Sequence, residues 1–276
     1  HDGTPTGVVH VLRDVSAEEE VSRLKDEFLA TVSHELRTPL GCIKGYATTL
    51  LLPDGLHDEA ISRRCLQVIA EASDELQELV DNLLDMTKIG AGALDVNPAP
   101  VRLRPLALAA VERVRPRAGS HELRVAVAAR LPAVYADPRR VEQVLYNLLD
   151  NAIKYSPERG RVAIAAEATG AEVLVSVADE GLGIPDDLLG AVFARFRREA
   201  SARTRGINGT GLGLAICKGI VEAHGGRIWA ESPVRGRPPA DRPGTVVRFT
   251  LPIAAALVAA GVAHSGPTKS TKGESP

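Results

Sequence analysis

Cysteine is scarce in this chain, and the three that occur, Cys42, Cys65 and Cys217, are scattered through 276 residues. That excludes a disulfide framework and any metal-ligand spacing, and it points to a reducing, cytoplasmic setting. An excess of either charge is also missing: 33 basic side chains meet 35 acidic ones, for a net charge of -2. The chain therefore carries no electrostatic footprint for nucleic acid. Long apolar runs are absent as well. The longest near the C-terminus, IAAALVAAGVA at 253–263, has 11 residues, against the roughly 18 needed to span a bilayer, and no signal peptide stands at the start. No initiator methionine occupies position 1, so the sequence reads as a fragment, with room upstream for a membrane anchor. Aromatics are only 3% of the residues, yet 45% are hydrophobic, enough for one or two domains with real cores.

Four regions stand out in what is present. GVVHVLRDVS at 7–16 alternates and is β-rich, so it reads as a strand, with Asp14 and Ser16 offering caps to a helix that follows. From residue 17 apolar residues take helical spacing at Val21, Leu24, Phe28 and Val32. After LLPDGLHD a second helical stripe runs through Leu66, Ile69, Ser73, Leu76, Val80, Leu83 and Thr87. Its steps of three and four are those of a bundle or coiled coil. Two such helices in a hairpin over 17–92 cannot bury both stripes, so a homodimer forming a four-helix bundle is predicted. Over 93–253 strands and helices alternate, which predicts an α/β sandwich. Its central helix, 138–155, opens with Asp137 as N-cap and Pro138 in the first turn. Strands GRVAIAAEA and AEVLVSVAD meet through Thr169 and Gly170. The tail, 254–276, is expected to be disordered.

The chemistry concentrates in the second domain. Asn147, Asn151 and Lys154 follow one another at i, i+4 and i+7 on the 138–155 helix, away from its apolar stripe. Amide oxygens ligate a hard divalent cation and an ammonium answers phosphate, the combination a Mg²⁺-nucleotide needs. Taken singly, each is more simply a solvated side chain. DEGLGIP at 179–185 sets an aspartate at a strand end before Gly181 and Gly183, and NGTGLGLAI at 208–216 opens a helix with three glycines. Glycines there let backbone approach a ligand, and a helix start suits phosphate. Each alone is an ordinary turn.

In order, these segments with FARF at 193–196 resemble the N, G1, F and G2 boxes of the sensor histidine kinases, and SHELRTPL at 33–40 resembles the same family's H box. The resemblance covers 17–253. It implies a multidomain chain, a dimeric four-helix bundle followed by an α/β sandwich ATP-binding domain of the Bergerat type. By the same resemblance His34 is the phospho-acceptor, with Glu35 taking or orienting its proton. Asn147 is the Mg²⁺ ligand, Asn151 and Lys154 contact phosphate, and Tyr155 contacts base or ribose. Asp179 reads the adenine amine. Gly181, Gly183, Gly209, Gly211, Gly213 and Leu214 belong to the loops that enclose ATP, and the segment bearing Arg197, Arg198, Arg203 and Arg205 is the lid. HELRT resembles an E-x-x-T pattern tied to phosphatase activity, which implicates Thr38. The implied partner is a response-regulator receiver domain, and residues 1–16 resemble the end of a PAS sensory domain whose remainder is upstream.

His34 also has a reading from geometry. Six residues from Phe28, it is rotated off the apolar stripe, so its imidazole, neutral near pH 7 with an ordinary pKa of about 6.5, is an exposed nucleophile. Pro39 withholds an N–H from the Glu35 carbonyl, and a kink or weakened helix is expected there. Two other classes compete. A gyrase- or Hsp90-like ATPase clamp shares the nucleotide boxes but has no use for the H-box hairpin. A dimeric scaffold would bind nucleotide and a partner without phosphoryl transfer.

Overall fold

The computed structural model describes residues 16–52, 59–156, 160–194, 211–234 and 243–259. The strand expected at 7–16 lies outside them except for Ser16. By its internal contacts the chain divides into two units, 1–77 and 78–276.

Two long helices, α1 (Ser16–Leu50) and α2 (Glu59–Gly90), account for the predicted helical region. α1 continues through Pro39. Hydroxyls along it turn back onto carbonyls one turn earlier, Ser33 onto Leu29, Thr48 onto Lys44 and Thr49 onto Gly45. Such bonds satisfy the side chains locally. Large apolar side chains remain in the open on both helices, among them Leu40 (56% exposed), Leu66 (58%) and Leu84 (52%).

The division between units falls inside α2, short of the glycines at 90 and 92 where the sequence changes texture. The cause is a set of anchors in the last turns of α2, all within the larger unit. Glu78 pairs with Arg113 at 2.7 Å, and Arg113 lies over the Tyr146 ring at 4.1 Å. Burial, and then Glu78, push the Tyr146 phenol up to about 12, so its hydroxyl stays protonated and accepts from Arg117 at 2.8 Å. Asp85, buried, accepts from Arg140 at 2.7 Å and Gln143 at 2.8 Å. Ile89 covers Gly219, where an added Cβ would meet it at 2.6 Å.

The rest of the larger unit is an α/β sandwich. A short antiparallel pair, β1 (Ala99–Val101) and β3 (Val134–Ala136), brackets α3 (Leu103–Val114) and β2 (Glu122–Val127). α4 (Pro138–Lys154) follows, then the hairpin β4 (Arg161–Thr169) and β5 (Glu172–Ala178), the short α5 (Asp186–Leu189), α6 (Gly213–Ala223), β6 (Ile228–Glu231) and β7 (Val246–Pro252). The main sheet has the order β2-β4-β5-β7-β6, with β2 and β4 parallel and all other neighbours antiparallel. Alternate residues Val162 and Ile164 of β4, and Val173, Val175 and Val177 of β5, are buried against the apolar stripe of α4, Val141, Val144, Leu145, Leu148 and Ala152. This is the period-2 face of a sheet packed on the period-3.6 face of a helix. Instead of the disorder expected from residue 254, a helix α7 (Ala254–Ala259) follows β7. Its alanines favour helix, and the Ala254 N–H donates to the Ala133 carbonyl at 2.9 Å, tying it to the edge beside β3. Residues 260–276 lie outside the described part. Among the described residues no helix is long and apolar enough to cross a membrane.

Candidate functional site

His34 sits exposed in mid-α1 and Glu35 beside it is half-buried. The Thr38 hydroxyl donates to the His34 carbonyl at 3.3 Å, a long local bond one turn back. His34 therefore offers its ring to solvent, while Thr38 is oriented by the His34 backbone.

In the sandwich, α4 starts where the sequence predicts. The Asp137 carboxylate accepts from the N–H groups of Arg139 (2.9 Å) and Arg140 (3.3 Å), and from Asn97 at 3.0 Å. Ten and fourteen residues after Asp137, Asn147 and Asn151 face the first residue of α6: a Cβ on Gly213 would stand 3.8 Å from both amides. The Asn147 Nδ2 atom is buried without a hydrogen bond, beside the Cys217 thiol. Burial pushes that thiol up to about 12, so it is a neutral packing group and not a nucleophile. Lys154 is held by Asp150 at 2.6 Å, which Arg117 also reaches at 3.5 Å. Tyr155 caps the helix end with its N–H on the Asn151 carbonyl at 2.9 Å.

Asp179, at the end of β5, is buried. Its Oδ1 accepts from the N–H groups of Gly181 (2.8 Å) and Thr245 (3.2 Å), while its own N–H donates to the Thr245 carbonyl at 2.8 Å. The carboxylate is thus fixed by backbone on two sides. Gly181 has no room for a side chain, since a Cβ would meet the Ser156 hydroxyl at 2.6 Å and Asp179 Oδ1 at 2.9 Å. Gly183 has φ +72° and Gly211 φ +70°, the left-handed region that favours glycine. The Leu182 N–H reaches the Tyr155 carbonyl at 3.0 Å, joining the turn after Asp179 to the end of α4. Asn147, Asn151, Tyr155, Asp179, Gly181, Gly183, Gly213 and Leu214 thus come from one unit, whereas His34, Glu35 and Thr38 belong to the other. Phe196, Gly209 and the arginines 197, 198, 203 and 205 lie outside the described residues.

Sequence reasoning missed three residues that build this site. Thr245 clasps Asp179, the buried Ser232 hydroxyl accepts from the Ile184 N–H at 3.0 Å and donates to the Gly244 carbonyl at 2.7 Å, and the His121 ring spans the carbonyls of Ala118 (2.6 Å) and Ser156 (2.5 Å). Only the Gly-Thr pair opening the last strand carried a signal, as a turn before an apolar run. As for metal, among the described residues no cluster of three His, Cys, Asp or Glu side chains is placed to hold one. A hard cation here would draw its oxygens from amides and from a nucleotide's phosphates, which suits the pair Asn147 and Asn151.

Comparison with known proteins agrees with this layout. Residues 24–92 match the model of the His Kinase A (phospho-acceptor) domain, and 136–255 match that of the histidine kinase-, DNA gyrase B- and HSP90-like ATPases. The structure of the mycobacterial sensor histidine kinase MprB is 34% identical, with 97% of its chain and 56% of this one covered at a TM-score of 0.50. The chain belongs to the sensor histidine kinases. Sensor histidine kinase WalK of Bacillus subtilis is 37% identical over 91% of this chain and 40% of its own length. Sensor protein KdpD of Clostridium acetobutylicum is 36% identical over 90% and 28%. This histidine kinase chain therefore spans well under half of those relatives. Among solved structures, ShkA in complex with AMPPNP is 30% identical over 82% of this chain and 46% of its own (TM-score 0.58). ThkA in complex with the response regulator TrrA is 25% identical over 88% and 68% (TM-score 0.53).

Proposed function

We propose that this chain uses ATP to phosphorylate His34 and passes the phosphoryl group to an aspartate of a response-regulator receiver domain. The observation that carries the reading is the paired arrangement in the larger unit: Asn147 and Asn151 opposite Gly213, and a buried Asp179 held by two backbone N–H groups. Asp179 accepts from the exocyclic amine of adenine. Gly181 and Gly183 keep the loop after it low enough for the base, and Tyr155 lines the base or ribose. Asn147 would hold Mg²⁺ through its amide oxygen, and the ion would supply charge neutralisation at the phosphates; Asn151 and Lys154 would meet phosphate oxygens, Lys154 by leaving Asp150. Gly209, Gly211, Gly213 and Leu214 close around the triphosphate.

His34 attacks the γ-phosphorus through a ring nitrogen, so that a phosphorus–nitrogen bond forms as the bond to the ADP oxygen breaks. Glu35 takes the ring proton or orients the ring for attack. The receiver's aspartate then accepts the group from the phosphohistidine. Thr38 serves the reverse traffic by holding a water for hydrolysis of the regulator's acyl phosphate. Residues 17–92 form the dimerisation and phosphotransfer domain, 93–253 the ATP-binding domain, and 1–16 the end of a sensory domain. The AMPPNP in the ShkA structure and the regulator in the ThkA structure support these assignments by analogy. Three free cysteines, two of them buried, fit a reducing, cytoplasmic setting for this segment.

Incubation with γ-labelled ATP tests the proposal. Label on the chain that is lost in acid and kept in alkali is expected, the stability of phosphohistidine. Release of labelled phosphate with none on the protein would identify an ATPase clamp, and neither product a scaffold.

A further inference from the structure

We infer that His224 is a positioning residue for nucleotide phosphates: it pins the axial register of α6 against α4. The inference rests on the nucleotide-site reading above. Three contacts show that the two helices run antiparallel in a fixed register. Gly213 faces Asn147 and Asn151, the Cys217 thiol lies 3.8 Å from the Val144 carbonyl, and His224 at the end of α6 meets Asp137 at the start of α4.

The last contact follows from the chemistry of a helix start. The N-cap residue's own backbone N–H is often satisfied by a Glu or Gln at the third helical position, reaching back. In α4 that position is Arg140, which has donors only and is turned to Asp85 and Gln143. The buried Asp137 N–H goes instead to His224 Nε2 at 2.9 Å. Because Nε2 accepts, Nδ1 carries the proton, and it donates to the Ile220 carbonyl at 2.8 Å. The ring is buried, neutral and fixed in one tautomer. It therefore joins the last turn of α6 to the first residue of α4. The opposite ends of the same two helices carry the amides and glycines assigned to phosphate and metal. Adenine, by contrast, is read by Asp179 from the sheet, and of the helix pair only Tyr155, the cap residue after α4, is assigned to base or ribose.

The test is calorimetric binding of MgATP and of adenosine to the full chain. His224→Leu removes the acceptor and should weaken MgATP about tenfold, the scale of one unpaired buried donor, while adenosine affinity stays unchanged. His224→Gln, which can accept from Asp137 and donate to Ile220, should restore MgATP binding. Equal losses for both ligands, or no loss, would overturn the clamp. Asn147→Ala separates the two readings. If it cripples MgATP binding while His224→Leu does not, the clamp alone fails; if it has no effect, the phosphate site fails and the clamp with it. Should His224→Leu not fold, imidazole ¹⁵N shifts of the unaltered chain decide. The Nδ1–H tautomer, with shifts that move on MgATP and not on adenosine, is expected; an Nε2–H tautomer, or an equal response to both, would overturn it.

Discussion

At the scale of single residues the proposed roles fall into different units, and substitutions should separate along that line. His34 is exposed on α1, and the residues assigned to ATP lie in the other unit. His34→Gln is therefore expected to abolish autophosphorylation while leaving ATP affinity nearly unchanged; a matching loss of affinity in a binding titration would remove His34 from its role. Asp179→Asn should do the opposite. The asparagine keeps the size of the side chain but offers one acceptor oxygen where the carboxylate offered two. That oxygen cannot serve the N–H groups of Gly181 and Thr245 and an adenine amine as well. A loss of ATP affinity of about a hundredfold is expected, the scale of a buried charged hydrogen bond, and titration with a fluorescent ATP analogue reads it. Thr38 tests a finer distinction. Its hydroxyl spends a donor on the His34 carbonyl but keeps acceptor capacity. Thr38→Ala should keep autophosphorylation and forward transfer but slow dephosphorylation of the regulator. Identical decay of pre-phosphorylated regulator with both proteins would show that the local bond is all that Thr38 does.

At the scale of elements, the start of α4 is where sequence and structure agree most closely. Burial works to raise the Asp137 carboxyl, but the N–H groups of Asn97, Arg140 and Arg139 hold it below the usual carboxylate range. A carboxylate depressed in the folded state adds stability above its unfolded pKa of about 3.9, and that stability fades as pH falls through the folded value. Asp137→Ala should thus cost about 1–2 kcal/mol at pH 7 and 5. The gap to the unaltered chain should narrow below about pH 4. Urea unfolding at those pH values measures it, and a gap independent of pH would mean the charge plays no part. Asp-Pro before an apolar stripe made this cap legible, as alternation made the β4–β5 hairpin legible. β3 and β6, three and four residues long, are too short to display a period. The clasp of Thr245 on Asp179 spans 66 residues and that of His224 on Asp137 spans 87, so no local pattern announces either. α7 was hidden for a different reason: its alanines and the polar tail after them read as one low-complexity end.

At the scale of the whole molecule, the open question for one chain is its surplus of exposed apolar surface on α1 and α2. Leu40, Leu66 and Leu84 are each more than half exposed, and Leu51, just past the end of α1, is 83% exposed. Burying one such side chain fully is worth about 1.5–3 kcal/mol. A few of them on each of two chains, buried together, are enough to hold a dimer in the four-helix arrangement that the paired stripes predict. Light scattering coupled to gel filtration should give about twice the 29.2 kDa of one chain. Leu66→Glu places a charge in the seam of α2, and a twofold axis doubles every such change, so the variant should shift to the monomer mass. The residues assigned to ATP lie in the other unit, and the monomer should still bind ATP with unchanged affinity. A chain that runs at 29.2 kDa before any substitution would overturn the dimer, and a Leu66→Glu variant that stays dimeric would move the seam to another face of these helices.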